Sequence, residues 1–234
     1  MICIAIPSRG RPSFLKRVIE TASQTADNWE EVIVKYYLND DDPDLKKYTK
    51  TLQSLQTTHG PSVQWEIGPD QNTVQSWNML CENTQADYYM LAGDEIQFVT
   101  QGWDTKVIQT KQDYPDGIFC MAVYDGRPNR AEMQSCTQPI VTKEWRDALG
   151  YFWAPFLWHW HVDEYTGDLA KAVDQWRIFP RLFLSVYIYL LYKVTIWFMA
   201  LQDPTMAQSG LVSIVVGAGA AWFGLYAGTS KGKK

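Results

Sequence analysis

Two sets of carboxylates interrupt apolar runs in this sequence. Asp40, Asp41 and Asp42 follow the run EVIVKYYL, and Gly93-Asp94-Glu95 follows DYYMLA before the chain returns to large apolar residues in IQFVTQGWD. Adjacent carboxylates leaving a buried strand repel one another and lose hydration, so they need solvent, a cationic partner or a bound cation. Hard oxygen ligands of this kind suit Mg2+ or Mn2+. Asp40–Asp42 read equally as a solvated turn, because Asp-Pro starts turns. Asp94 and Glu95 read as metal- or ligand-binding, since they break an apolar stretch. His159 and His161 are a lone i, i+2 pair, which is too little for a metal site. No extended glycine-rich loop with a lysine is present, which argues against nucleotidyl transfer on a similar sheet.

The elements around these acids alternate. Apolar residues 2–6 form a short strand closed by Pro7, and Pro12 suits the first turn of a helix over 12–25. Strands are predicted at 31–38, 62–67 and 87–92, with helices at 44–57 and 71–84 between them. Tyr48, Leu52 and Leu55 give the first of these helices its apolar stripe. A helix near 103–112, strands at 117–123 and 138–142 and a helix at 143–149 follow. The alternation predicts an α/β fold, with parallel strands in the first half. Acids at strand ends then matter, because ligands of open α/β sheets collect beyond the carboxyl ends of the strands.

From Trp176 the chain changes character. Arg177, Arg181, Lys193, Lys231, Lys233 and Lys234 against Asp203 give +5, which leaves −10 of the total −5 on the first 175 residues. Residues 182–201 hold only Ser185, Lys193 and Thr195 outside the hydrophobic class, and residues 206–227 carry no charge. At about 1.5 Å per residue, either run would cross a hydrocarbon core of about 30 Å. The expectation is a membrane hairpin over 176–234, with spans at 182–201 and 206–227. The positive-inside rule puts Trp176 and Lys234 in the cytoplasm. A hairpin of helices buried in protein is the alternative. Lys193 reads as snorkelling or as facing a partner helix. Ala220, Gly224 and Gly228 repeat at four-residue spacing, which would let two helices approach closely in self-association.

The negative total argues against nucleic acid as a partner. The four cysteines, Cys3, Cys81, Cys120 and Cys136, include no CxxC pair, so neither a zinc ribbon nor a disulfide scaffold is expected. No basic segment followed by a long apolar stretch opens the chain, so no secretory signal is read there.

The order PSRGRP, LNDDDP, LAGDEIQF and GWD resembles glycosyltransferases of the GT-A fold, and more narrowly the family 2 type enzymes of phage and bacterial genomes. The resemblance covers Met1 to about Gln175. It implies a mixed, mainly parallel sheet flanked by helices. It implies a nucleotide-diphosphate sugar held at Pro7, Ser8 and Arg9, with Asp40, Asp41 and Asp42 near base and ribose. It also maps the family's acidic metal motif, which binds Mn2+ or Mg2+ beside the donor, to Asp94 and Glu95, with Glu95 standing where aspartate is more usual. Such a cation would stabilise charge on the departing diphosphate, and Arg9 or Arg11 would add a guanidinium contact.

The acceptor hydroxyl needs a general base. Asp163 or Glu164 is the candidate, in HVDEYTGDLAKAVDQ, a segment resembling the family's acceptor-side helix start. Asp163 reads also as an N-cap. The aromatic run from Tyr151 to Trp160 would stack against an acceptor sugar, or else pack in the core or against a membrane. The family continues into a strand whose histidine completes the metal site. Here that region is WRIFPRLFLSVYIYLL, with no histidine after His161. The tail resembles small phage-encoded holin-like proteins. The expectation is therefore a transferase anchored in the inner membrane of a bacterial host, its sheet domain cytoplasmic, moving sugar to a glycan, lipid or protein acceptor. A non-catalytic holin-like protein carrying a remnant transferase domain is the alternative.

Overall fold

The computed structural model describes residues 1–114, 116–123, 126, 136–176 and 178–229, with backbone alone for 173–176, 178–181, 183, 220 and 222–229. The chain divides into two compact units, Met1–Lys171 and Ala172–Lys234.

The first unit is built on one sheet. Its strands are β1 (Ile2–Ser8), β2 (Val32–Asn39), β3 (Val63–Gly68), β4 (Tyr88–Leu91), β5 (Cys120–Met121) and β6 (Ile140–Thr142), in the order β3-β2-β1-β4-β6-β5. The central strand β1 pairs in parallel with β2 and β4, with Ile2 opposite Val32 on one side and Tyr88 on the other. Strand β3 adds in parallel to β2, whereas β6 runs antiparallel to both β4 and β5. The sheet is thus mixed and mainly parallel, as the resemblance implied, with the first four strands parallel, as the alternation of elements predicted.

A parallel strand covered on both faces must be apolar throughout, and β1 is. Ile2, Ile4 and Ile6 join one buried cluster with Leu15, Val18 and Ile19 of α1 (Leu15–Thr25) and Tyr48 and Leu52 of α2 (Leu45–His59). Cys3 and Ala5 join the other, with Val74, Trp77 and Leu80 of α3 (Thr73–Glu82) and with Trp145, Phe152 and Trp153. Each fully buried isoleucine contributes about 1.5–3 kcal/mol. Asn72 and Gln75 form a reciprocal capping box that starts α3.

Boundaries shift where backbone chemistry dictates. Pro12 opens a 3-10 turn, Pro12–Phe14, and the α-helix begins only at Leu15. The predicted strand 117–123 is regular only at Cys120–Met121, after Gly117 at φ +71°. The GWD motif is architectural. Gly102, at φ +65°, donates to the Thr25 carbonyl, and a Cβ there would lie 2.5 Å from Asp27. Asp104, buried in α4 (Trp103–Thr110), accepts both Asp27 and Asn28 amides at 2.8 Å. Helices α5 (Lys143–Leu149) and α6 (Val162–Trp176) follow.

The second unit contains α7 (Ile178–Met199) and α8 (Met206–Thr229), helices where the two apolar runs predict them. They pack on each other through Tyr187, whose hydroxyl donates to the Val215 carbonyl and whose ring lies against Gly219. Crossing of a bilayer by 182–201 and 206–227 is not supported: among the described residues, no helix is long and apolar enough to cross a membrane. In α7 the hydroxyls of Tyr187, Tyr189 and Tyr192 and the ammonium of Lys193 interrupt the apolar run, with Lys193 Nζ 5.7 Å from the Tyr189 ring centre. The ends predicted to be cytoplasmic at Trp176 and Lys234, and the Ala220, Gly224 and Gly228 stripe, lie outside the residues whose side chains are described.

Candidate functional site

Strands β1 to β4 run in one direction, so their carboxyl ends meet at one sheet edge, and the predicted site residues follow those ends. An open cleft of about 1290 Å³ lies there, lined by Pro7, Ser8, Arg9 and Arg11 after β1, Asn39 after β2, Asp70 after β3, and Asp94 and Glu95 after β4. His159, Trp160, His161 and Asp163 also line the cleft.

Asp94 is the best-held of these groups. Its side chain is 0% exposed, and its Oδ2 accepts the Ser8 hydroxyl at 2.6 Å. Ser8 Oγ also lies 2.8 Å from the Tyr48 hydroxyl, which accepts the Arg11 amide at 2.7 Å. A serine hydroxyl has one proton, and Ser8 gives it to Asp94, so Tyr48 is the donor to Ser8. The chain of donation runs from the Arg11 amide through Tyr48 and Ser8 to Asp94. Gly93, next to Asp94, donates its amide to Gln138 Oε1 at 2.9 Å.

The other carboxylate oxygen has no such partner. Asp94 Oδ1 is buried and accepts no hydrogen bond, although Arg11 Nη2 lies 2.9 Å away as a charge pair without hydrogen-bond alignment. Arg11 Nη1 donates to Glu95 Oε2 at 2.9 Å, so one guanidinium spans both acids. Burial pushes the Asp94 carboxyl above its ordinary pKa, opposed by the Ser8 hydrogen bond and Arg11, with Glu95 reinforcing the rise.

The acids after β2 take three different roles. Asp41 is clamped by Arg9, with Nη1 at 2.6 Å and Nη2 at 3.0 Å. That fork holds Asp41 below the ordinary carboxylate range and raises Arg9. Asp42 is buried and accepts the Gly10 and Asp44 amides, each at 2.8 Å, so it braces the loop. Asp40 is exposed and gives its amide to the Gly68 carbonyl. None of the three lines the cleft. Asn39 and Asp70 do, joined at 2.6 Å. Gly10, at φ +69°, turns the chain so that Arg9 reaches Asp41 while Arg11 reaches Asp94.

Asp163 and Glu164 lie in the first turn of α6. Asp163 faces the cleft and is inside the helix rather than at its N-cap, with Oδ1 accepting the Glu164 amide at 2.9 Å. Glu164 is paired with His161 Nδ1 at 2.6 Å, which raises the His161 pKa, so Glu164 is occupied. The aromatic run divides. Phe152 and Trp153 are core, while Phe156, Trp158 and Trp160 are exposed by 63–78%. His159 stacks on Trp77 with centres 6.2 Å apart.

The donors at the acid pair suit a hard divalent ion. Among the described residues no cluster of three or more His, Cys, Asp or Glu could hold a metal. Mg2+ and its like are commonly held by one or two carboxylates with substrate phosphates and water completing the shell. A buried oxygen of Asp94 without a hydrogen bond beside Glu95 fits that pattern.

No protein-family model and no curated protein sequence matches the chain. Solved structures do. A mannosyltransferase, PcManGT from Pyrobaculum calidifontis in complex with GDP-Man and Mn2+, superposes with a TM-score of 0.54 at 8% identity, over 70% of this chain and 49% of that one. The fold is GT-A-like. S. aureus TarS 1–349 matches at 0.52 and 8% identity, over 71% of this chain and 53% of that one. The same TarS fragment in complex with UDP-GlcNAc also gives 0.52 and 8%, over 72% and 52%. The chain thus spans about half the length of the structures it matches.

Proposed function

We propose that the chain is a glycosyltransferase using a nucleotide-diphosphate sugar and a divalent cation. The observation that carries this reading is Asp94: a buried carboxylate at the end of β4, with an unsatisfied oxygen, opening with Glu95 into a cleft. The neighbouring folds in complex with GDP-Man and Mn2+ or with UDP-GlcNAc support it. When bound, Mn2+ or Mg2+ would supply positive charge against the leaving diphosphate, with Asp94 and Glu95 as its protein ligands. Ser8 and Tyr48 fix the Asp94 carboxylate before donor arrives. Arg11, on the loop after β1, would offer a guanidinium fork to phosphate, while Arg9 on the same loop keeps its fork on Asp41 and adds positive charge at the cleft wall. Asn39 and Asp70 offer polar contacts to base and ribose, where Asp40–Asp42 were expected to serve.

Asp163 is the base assigned to the acceptor hydroxyl, because it faces the cleft while Glu164 is paired with His161. Trp160 offers an apolar face to an acceptor sugar. Calorimetric titration of the full chain with UDP- and GDP-sugars, with and without Mn2+, tests the reading. Metal-dependent binding of one of them is expected; no binding of any would overturn it.

The tail is assigned to association with a bacterial inner membrane. Leu182, Val186, Ile188 and Met199 of α7 and Met206 and Ile214 of α8 are each at least 60% exposed, an apolar surface that water disfavours. Its helix-lining small residues would serve self-association. Co-sedimentation of the full chain with lipid vesicles is expected, and a chain that stays in the supernatant would overturn the assignment.

A further inference from the structure

The reading above makes Asp94 and Glu95 the metal ligands, and on that basis Arg11 acquires a function of its own. We propose that Arg11 is a tethered cation that occupies the acid pair until a divalent ion displaces it, and then turns to the donor diphosphate. The guanidinium bridges the two carboxylates, with 2.9 Å to each. Its contact with Asp94 Oδ1 has the distance of an ion pair, and that buried oxygen accepts no hydrogen bond.

Release of Arg11 is feasible because its side chain is 50% exposed, and the pair is therefore screened by water. Its backbone stays anchored by the hydrogen bond that its amide donates to the Tyr48 hydroxyl, so the side chain swings within the cleft. The Phe14 ring, 5.9 Å from the guanidinium carbon, gives it an apolar and π-electron face along which to move. A divalent ion brings two charges to oxygens that one guanidinium neutralises only singly. A diphosphate then gives the freed fork a planar bidentate acceptor. Metal and nucleotide consequently bind with positive coupling, each lowering the cost of moving Arg11.

The test is binding of Mn2+ to the full chain, followed by the paramagnetic resonance of free Mn2+, with and without UDP or GDP. In the wild-type chain, nucleotide strengthens Mn2+ binding. Arg11→Gln removes the competing charge, so Mn2+ alone binds about tenfold tighter, and the gain from nucleotide shrinks. Arg11→Lys keeps a charge that cannot fork both acids and falls between the two. Mn2+ binding to Arg11→Gln no tighter than to wild type, with binding still abolished by Asp94→Asn, overturns this inference and leaves the metal site standing. If wild-type chain and both Arg11 variants bind no Mn2+ even with nucleotide, the metal reading falls and this inference with it.

Discussion

Removing one oxygen atom from the core-facing side of α2 should weaken both the fold and the site. Tyr48 is fully buried, and its hydroxyl lies 2.7 Å from the Arg11 amide and 2.8 Å from Ser8 Oγ. Tyr48→Phe deletes both hydrogen bonds while leaving the ring in place, so it opens almost no cavity. Two net hydrogen bonds are worth about 0.5–1.5 kcal/mol each, and the abandoned Arg11 amide adds a desolvation cost, which gives about 2 kcal/mol in all. For a chain of this size that is a fall of about 4–8 °C in melting temperature. Ser8 keeps its bond to Asp94 but loses the donor that orients it, so nucleotide affinity measured with Mn2+ should fall by about three- to tenfold. Thermal unfolding and calorimetric titration of the same preparation read the two effects. A melting temperature within about 1 °C of wild type, together with an unchanged titration, would show that the donation chain to Asp94 does nothing for stability or binding.

Other outcomes follow from the same geometry. Asp94→Asn and Glu95→Gln each remove one anionic ligand at nearly constant volume, so metal-dependent nucleotide binding should be lost while the melt stays cooperative; retained Mn2+ dependence in both would remove them as ligands. Asp163→Asn should bind donor like wild type yet lose transfer to acceptor by a hundredfold or more, about the contribution of a general base, and parallel loss of donor binding would count against that role. His161 should titrate above 6.5 in the folded chain, because Glu164 stabilises its charged form. The sign follows: the pair is fully charged below 6.5 and is lost as pH rises through the raised value. Glu164→Gln should bring the imidazole resonance midpoint back down, and an unmoved midpoint would deny the pairing.

Strands β1, β2 and β4 were legible because a parallel strand covered on both faces is dominated by apolar and aromatic residues, as ICIAI, VIVKYYL and YYML are, whereas β3 (VQWEIG) is an edge strand with Val63 alone buried. The other edge, at β5, was not. Residues 117–123 have strand composition, yet Gly117 turns at positive φ and only Cys120–Met121 pairs with β6, since an edge strand is held from one side alone. The tail shows a related limit. Apolar length predicts helix, and α7 and α8 are helices, but among the described residues neither is long and apolar enough to cross a membrane.

Site residues divide by the number of physical demands that their sequence context makes. Asp94 was readable because a carboxylate inside an apolar strand end has few ways to exist, and Ser8 and Arg11 supply two of them. Asp40, Asp41 and Asp42 were readable only as a group. Three acids in a turn face no such constraint, and the fold alone decides that Asp42 accepts amides while Asp41 receives Arg9. Asp70 carries no such signal, because GPDQN has the composition of an ordinary turn, and only its place after β3 brings it to the cleft. Tyr48 was hidden by its own regularity. Spaced four and seven residues before Leu52 and Leu55, it satisfies the apolar stripe of α2 completely, and nothing in that pattern distinguishes a ring that only packs from one that also carries a hydroxyl into a chain of hydrogen bonds. A tyrosine differs from phenylalanine at such a position only by a group that must find a partner when buried. The tyrosines of apolar stripes that point toward a strand's carboxyl end are therefore where sequence reading should look for the support of a site.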